Sequence, residues 1–144
     1  MYGEYLHAHP RSNSRLIAAP TDPSTGKEIG QCPDYGVNET RRAIDAASVA
    51  FKTWGTTTGK ERYDIMMKLF NLMKENSEDL AQICTLENGK PLADSKGEIT
   101  YSASFIEWFA GEAVKETGDI IPHPMKGIRS LVIKQPIGPC GIIT

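Results

Sequence analysis

The sequence carries three thiols, Cys32, Cys84 and Cys140, and each would need a neighbouring base or a helix dipole to become a thiolate nucleophile. They are odd in number, widely spaced and without a CxxC pair, which fits neither a disulfide framework nor a zinc site. Cys84 falls on the apolar side of a helical pattern and Cys140 in an apolar run, so all three read as reduced, mostly buried, inert thiols. His7 and His9 stand one residue apart with no third ligand nearby, and His123 sits in a turn between Pro122 and Pro124. No metal site is expected. The carboxylate pairs Glu78-Asp79 and Glu107/Glu112 sit at helical positions, where a solvated face explains them. Neither GxGxxG nor GxxxxGK[ST] occurs, and Gly26-Lys27, Gly59-Lys60 and Gly89-Lys90 read as turns or helix ends rather than phosphate cradles. The chain thus shows few groups that could perform chemistry by themselves.

The elements that would position them change character along the chain. Residues 1–37 are rich in Pro, Gly, Ser, Thr and Asp, and Pro10, Pro20, Pro23 and Pro33 exclude a continuous helix. Thr25-Gly26-Lys27 reads as a turn between short extended pieces, Arg15 to Ala18 and Glu28 to Gly30, forming an arm laid over a larger body. Asn38 is the expected N-cap of a first helix, with Glu39 in its first turn, apolar residues Ala43, Ala47, Ala50, Phe51 and Trp54, and Gly55 as its stop. Capping is also the better reading of the Asn38-Glu39-Thr40 sequon. A second helix starts near Thr58 or Gly59 and carries Ile65, Leu69, Leu72 and Met73 on one side. Ser77 is expected to cap a third, ended by Asn88-Gly89 and Pro91.

A longer helix from about Ala93 to Lys115 places Ile99, Ala103, Ile106, Ala110 and Ala113 on one face, and Phe105, Phe109 and Val114 widen it. That much apolar surface predicts burial on more than one side, and Gly118 is its expected end. The period then shifts. Asp119 to Pro122 and Ser130 to Lys134 read as the arms of a β-hairpin around a Lys126-Gly127 turn. Cys140 to Thr144 reads as the start of a further strand, of the kind buried on both faces of a parallel sheet. Such a strand needs a crossover and a neighbour, so the expected unit is unfinished.

Composition excludes several classes. Sixteen Lys plus Arg against 18 Asp plus Glu, with 40% hydrophobic residues, describe an ordinary globular chain of 144 residues. A net charge of -2 gives no reason to expect a nucleic-acid partner. No apolar stretch approaches the roughly 20 residues of a membrane span. Met1 to Pro20 holds no signal-peptide core, so a cytoplasmic location is expected, with the mitochondrion as the alternative.

The segment from Thr85 to Ala93, Thr-Leu-Glu-Asn-Gly-Lys-Pro-Leu-Ala, is followed by Lys96-Gly97-Glu98-Ile99, by Ser104 to Ala110, by Gly118 to Pro122 and by Lys134 to Gly138. In order and spacing these resemble the aldehyde dehydrogenases, and within them the succinate-semialdehyde dehydrogenase branch. Pro23 to Lys27 is similar to an early turn of that family, and the likeness runs from Arg15 to Thr144. The resemblance implies an α/β fold, of which this chain is an incomplete amino-terminal portion. Residues 1–37 would be an arm, 38–118 the helical part of the cofactor-binding domain, 119–135 the hairpin of an oligomerisation arm and 136–144 the start of a Rossmann-like sheet.

It further implies oxidation of an aldehyde, here succinate semialdehyde to succinate in GABA catabolism, with NAD or NADP as hydride acceptor. The family uses a cysteine thiolate, an oxyanion-holding asparagine and a water-activating glutamate. All three would lie beyond Thr144, and none of the cysteines here matches the nucleophile's motif, so residues 1–144 alone are expected to be inactive. Ile143 and Thr144 match a strand end that approaches the cofactor, and Tyr101, Phe105 and Trp108 are the expected lining of the aldehyde tunnel. The implied partners are a small-molecule aldehyde and further copies of the subunit joined through the β-arm. The competing expectation is a non-catalytic subunit that binds full-length subunits through that arm.

Overall fold

A computed structural model describes residues 17–143. The arm contains two short strands, β1 (Ile17–Ala18) and β2 (Cys32–Pro33), paired antiparallel. Between them the chain reverses at the expected place: Thr21 bridges Glu28, and the Asp22 amide donates to the Lys27 carbonyl at 2.9 Å. Asp22 closes the turn, accepting from the Ser24 amide at 2.7 Å and the Thr25 hydroxyl at 2.8 Å, while Gly26 takes the left-handed conformation that other residues resist.

Four helices follow: α1 (Val37–Trp54), α2 (Gly59–Glu75), α3 (Ser77–Asn88) and α4 (Leu92–Ala113). Helix α2 starts at the expected cap. The Thr58 side chain accepts from the Glu61 amide, and the Thr58 amide donates back to Glu61 Oε2 at 2.7 Å, a reciprocal box. Two caps differ from expectation. Asn38 lies inside α1, because the extended Gly36 is the N-cap: its carbonyl receives the Thr40 amide at 3.0 Å and its own amide donates to Glu39 Oε2 at 3.2 Å. Ser77 is likewise the first residue of α3. Asn76 ends α2 and opens α3 at once, its amide donating to Leu72 and its carbonyl receiving the Leu80 amide, both at 3.0 Å. Helix α4 ends at Ala113, before Gly118, which stands instead against the hairpin: a methyl group there would meet the Val132 carbonyl oxygen.

Helix α4 is the centre of the packing. Its main partner is α2, then α3, whereas α1 packs against none of the other elements. Ala103 and Ala110, expected on the inner face of α4, are buried together with Ala81 of α3 and the Ser95 hydroxyl group. The approach is close enough that a methyl group on Gly59 would sit 2.2 Å from the Ala113 carbonyl oxygen. Small residues therefore form the contact, and the larger apolar residues of α1 and of the outer α4 face remain exposed.

The expected hairpin is present as β3 (Asp119–Pro122) and β4 (Arg129–Val132), antiparallel, with Ile120 opposite Leu131 and Gly127 at positive φ in the turn. Residues 133–143 join no ladder among the described residues, so the run from Cys140, expected as a strand, forms none. The expectation for Arg15 and for His7 and His9 lies outside the described residues. Among the described residues, no helix is long and apolar enough to cross a membrane.

Candidate functional site

Tyr101, Phe105 and Trp108 fall at i, i+4 and i+7 of α4, a single stripe on the helix surface. Because Ala103 and Ala110 face inward, that stripe faces outward: Tyr101 is 65% exposed, Phe105 43% and Trp108 67%. The first two rings meet edge to face, with centroids 4.7 Å apart and planes at 78°, a favoured arrangement of aromatic quadrupoles. All three lie on one open surface of α4, together with Ser104 and Glu107, with Lys115 just past the helix end. The three residues that the resemblance singled out thus share one surface of α4. The sequence pattern missed the polar rim, where Lys115 Nζ lies 3.0 Å from Glu112 Oε1; the i, i+3 spacing of opposite charges was the available signal. That surface can supply one apolar wall. It contains neither a thiol nor a histidine, so no nucleophile of the acyl-transfer type is assembled in it.

The thiols are elsewhere. Cys32 and Cys140 are exposed and Cys84 is half-buried, which corrects the expectation of mostly buried cysteines. The apolar run around Cys140 lacks the sheet that would cover it, and β2 is a two-residue edge. Cys84 also departs from a purely apolar setting. Its thiol donates to Glu98 Oε2 at 3.7 Å, and Glu98 forms an ion pair with Lys90, which lies in the break between α3 and α4. The hydrogen bond from Lys90, then its charge, holds the Glu98 carboxyl below its usual range, and the same bond raises the Lys90 ammonium. Cys84 therefore stands beside the Lys90–Glu98 ion pair rather than in a purely apolar setting. The pairing of Lys90 with Glu98 was not readable from spacing, since Lys90 lies in the helix break and only Glu98 on α4.

His123 is half-buried, and its Nδ1 accepts the Met125 amide at 3.1 Å, so the ring organises the hairpin turn. No group of three or more metal-ligating side chains occurs among the described residues. Ile143 is fully exposed and outside any strand, and Thr144 lies outside the described residues. A dinucleotide needs a strand-to-helix turn whose amides meet its phosphates. Among the described residues, the chain up to Ile143 forms no such turn.

The sequence profile of the aldehyde dehydrogenase family matches residues 11–144. The chain belongs to the aldehyde dehydrogenase family. It is 50% identical over 142 residues to the succinate-semialdehyde dehydrogenase [NADP(+)] of Escherichia coli strain K12, which covers 99% of this chain and 29% of that protein. It is 51% identical over the same span to a glutarate-semialdehyde dehydrogenase of Pseudomonas putida, again 99% of this chain and 29% of the relative. Among solved structures, an E. coli NADP-dependent enzyme superposes with a TM-score of 0.81 at 51% identity, over 84% of this chain and 25% of that one. The aldehyde dehydrogenase fold expected from the motifs is therefore the fold observed, as an amino-terminal portion: the chain spans under a third of the length of these relatives.

Proposed function

We propose that the chain is the amino-terminal part of an NAD(P)-dependent semialdehyde dehydrogenase that oxidises succinate semialdehyde to succinate, as in GABA catabolism. The observation that carries this reading is the 50% identity, over 99% of the chain, to an enzyme of that name. The similar identity to a glutarate-semialdehyde dehydrogenase supports the same class, a short aldehyde with a carboxylate at its far end, and makes the longer homologue the competing substrate. Oxidation takes one hydride from the aldehyde carbon to the nicotinamide and one oxygen from water. In this reading the residues of this chain supply the wall and not the chemistry. Tyr101, Phe105 and Trp108 form one side of the aldehyde passage, where aromatic faces exclude water and orient the carbonyl end. Ile143 and Thr144 bring the backbone toward the cofactor. The expected location is the cytoplasm, with the mitochondrion as the alternative.

Two measurements test it. The complete enzyme should reduce NAD or NADP with succinate semialdehyde at a higher kcat/KM than with glutarate semialdehyde; the reverse ratio would move the assignment to the longer substrate. Residues 1–144 expressed alone should reduce neither cofactor with either aldehyde, and turnover by that polypeptide would overturn the view that its thiols are inert.

One observation favours a second reading, a non-catalytic subunit that joins full-length subunits. The β3–β4 hairpin exposes Ile120 (68%) and Leu131 (73%), an apolar cross-strand pair suited to β-augmentation. Co-elution of residues 1–144 with a full-length subunit, abolished by Ile120→Lys, would support it; separate elution would end it.

A further inference from the structure

We propose that Asn88-Gly89 is a self-modifying site, at which Asn88 deamidates at a rate set by opening of the α3 C-cap. Three observations converge there. Asn88 is exposed and is followed by glycine, the residue that least hinders attack of a backbone nitrogen on the asparagine side chain. Gly89 is the C-cap of α3 at φ 78°, a left-handed conformation, and its amide donates to the Thr85 carbonyl at 2.8 Å. The same glycine carries the arm: a methyl group on it would come within 2.7 Å of Pro23 Cγ and 3.2 Å of Ser24 Oγ.

The chemistry needs only water. The Gly89 nitrogen loses its proton and bonds to Asn88 Cγ, the Cγ–Nδ2 bond breaks, and ammonia leaves. Water then opens the cyclic imide at either carbonyl, giving aspartate or isoaspartate. While the cap is closed, the attacking N–H is occupied by Thr85, so the reaction draws on the minor population with the cap open. Either product is poorly accommodated. A carboxylate at position 88 faces the negative end of the α3 dipole beside Glu87. Isoaspartate adds a backbone methylene one residue before the glycine that meets Pro23. Deamidation would therefore loosen the arm from α3.

The test is time-resolved peptide mapping of the 144-residue chain held in mildly alkaline buffer, with and without urea. Isoaspartate is scored with a protein-isoaspartate methyltransferase, and Asn88→Gln serves as a variant that keeps the helical amide but closes the ring far more slowly. Asn76, whose Nδ2 donates to the Leu72 carbonyl at 2.8 Å, is the internal comparison. The expected result is measurable conversion at Asn88 in native buffer, about tenfold or more faster in urea because the population of the open cap rises toward unity, with both products and none of either in Asn88→Gln. Equal rates in the two buffers would overturn the gating. Absence of conversion in native buffer, while the urea sample converts, would overturn the site.

Discussion

The Thr85 and Ser95 hydroxyl oxygens lie 2.8 Å apart, joining α3 to α4 at a point where Ser95 is fully buried. The bond spans the Gly89-Pro91 break, so it fixes the angle at which α4 leaves α3, and α4 in turn presents the aromatic stripe. Ser95→Ala leaves Thr85 half-buried without its partner and should lower unfolding stability by about 1 kcal/mol. Ser95→Leu adds volume to a filled site and should cost about 1–3 kcal/mol. Urea titration with an unchanged slope checks both, and a silent Ser95→Leu would mean that the site is not packed as described.

Two glycines in helices have opposite expectations. At Gly59 an added methyl group would collide with the Ala113 carbonyl oxygen, so Gly59→Ala must separate α2 from α4 and should destabilise by about 1–3 kcal/mol. At Gly97, on the exposed side of α4, nothing stands within 4 Å, and Gly97→Ala should stabilise by about 1 kcal/mol through helix propensity. Thermal melts of the pair, run together, read the sign directly.

Acid should destabilise the chain through its caps. The Thr58 amide, then its hydroxyl, holds the Glu61 carboxyl below its ordinary value of 4.5, and Lys90 does the same for Glu98. A carboxyl depressed in the folded state binds fewer protons than in the unfolded chain. Its contribution is present above 4.5 and is lost as pH falls through the lower, folded value. Lys90 has the opposite sign: raised above 10.5, it contributes fully below that value and loses its contribution as pH rises through the folded one. Glu61→Gln removes the titrating carboxyl itself and should flatten the acid limb. An unchanged acid limb in that variant would remove Glu61 from the account.

In the complete enzyme, Trp108→Ala should act on substrate capture. A wall residue that touches aldehyde equally before and during reaction lowers binding without changing the chemical step, so KM should rise several-fold with kcat nearly constant. A selective fall in kcat would place Trp108 at the reacting carbon instead of along the passage.

The sequence by itself determined the helices α2 to α4, the hairpin, the two glycine stops Gly55 and Gly89, and the family, because these depend on local signals: apolar period, cap chemistry and short motifs in fixed order. The family resemblance singled out Tyr101, Phe105 and Trp108, and their i, i+4, i+7 spacing sets them on one stripe. Only the tertiary structure decided which side of α4 that stripe takes. Inner and outer faces are both apolar, and the choice fell to Ala103 and Ala110 because small side chains let α2 and α4 approach to backbone contact. The caps of α1 and α3 were decided the same way, since Asn38 and Ser77 have the right chemistry, but Gly36 and Asn76 hold the backbone bonds. The Lys90–Glu98 pair and the Thr85–Ser95 bond needed the fold as well: the first joins the helix break to α4 and the second joins α3 to α4 across it, where no period in the sequence relates them.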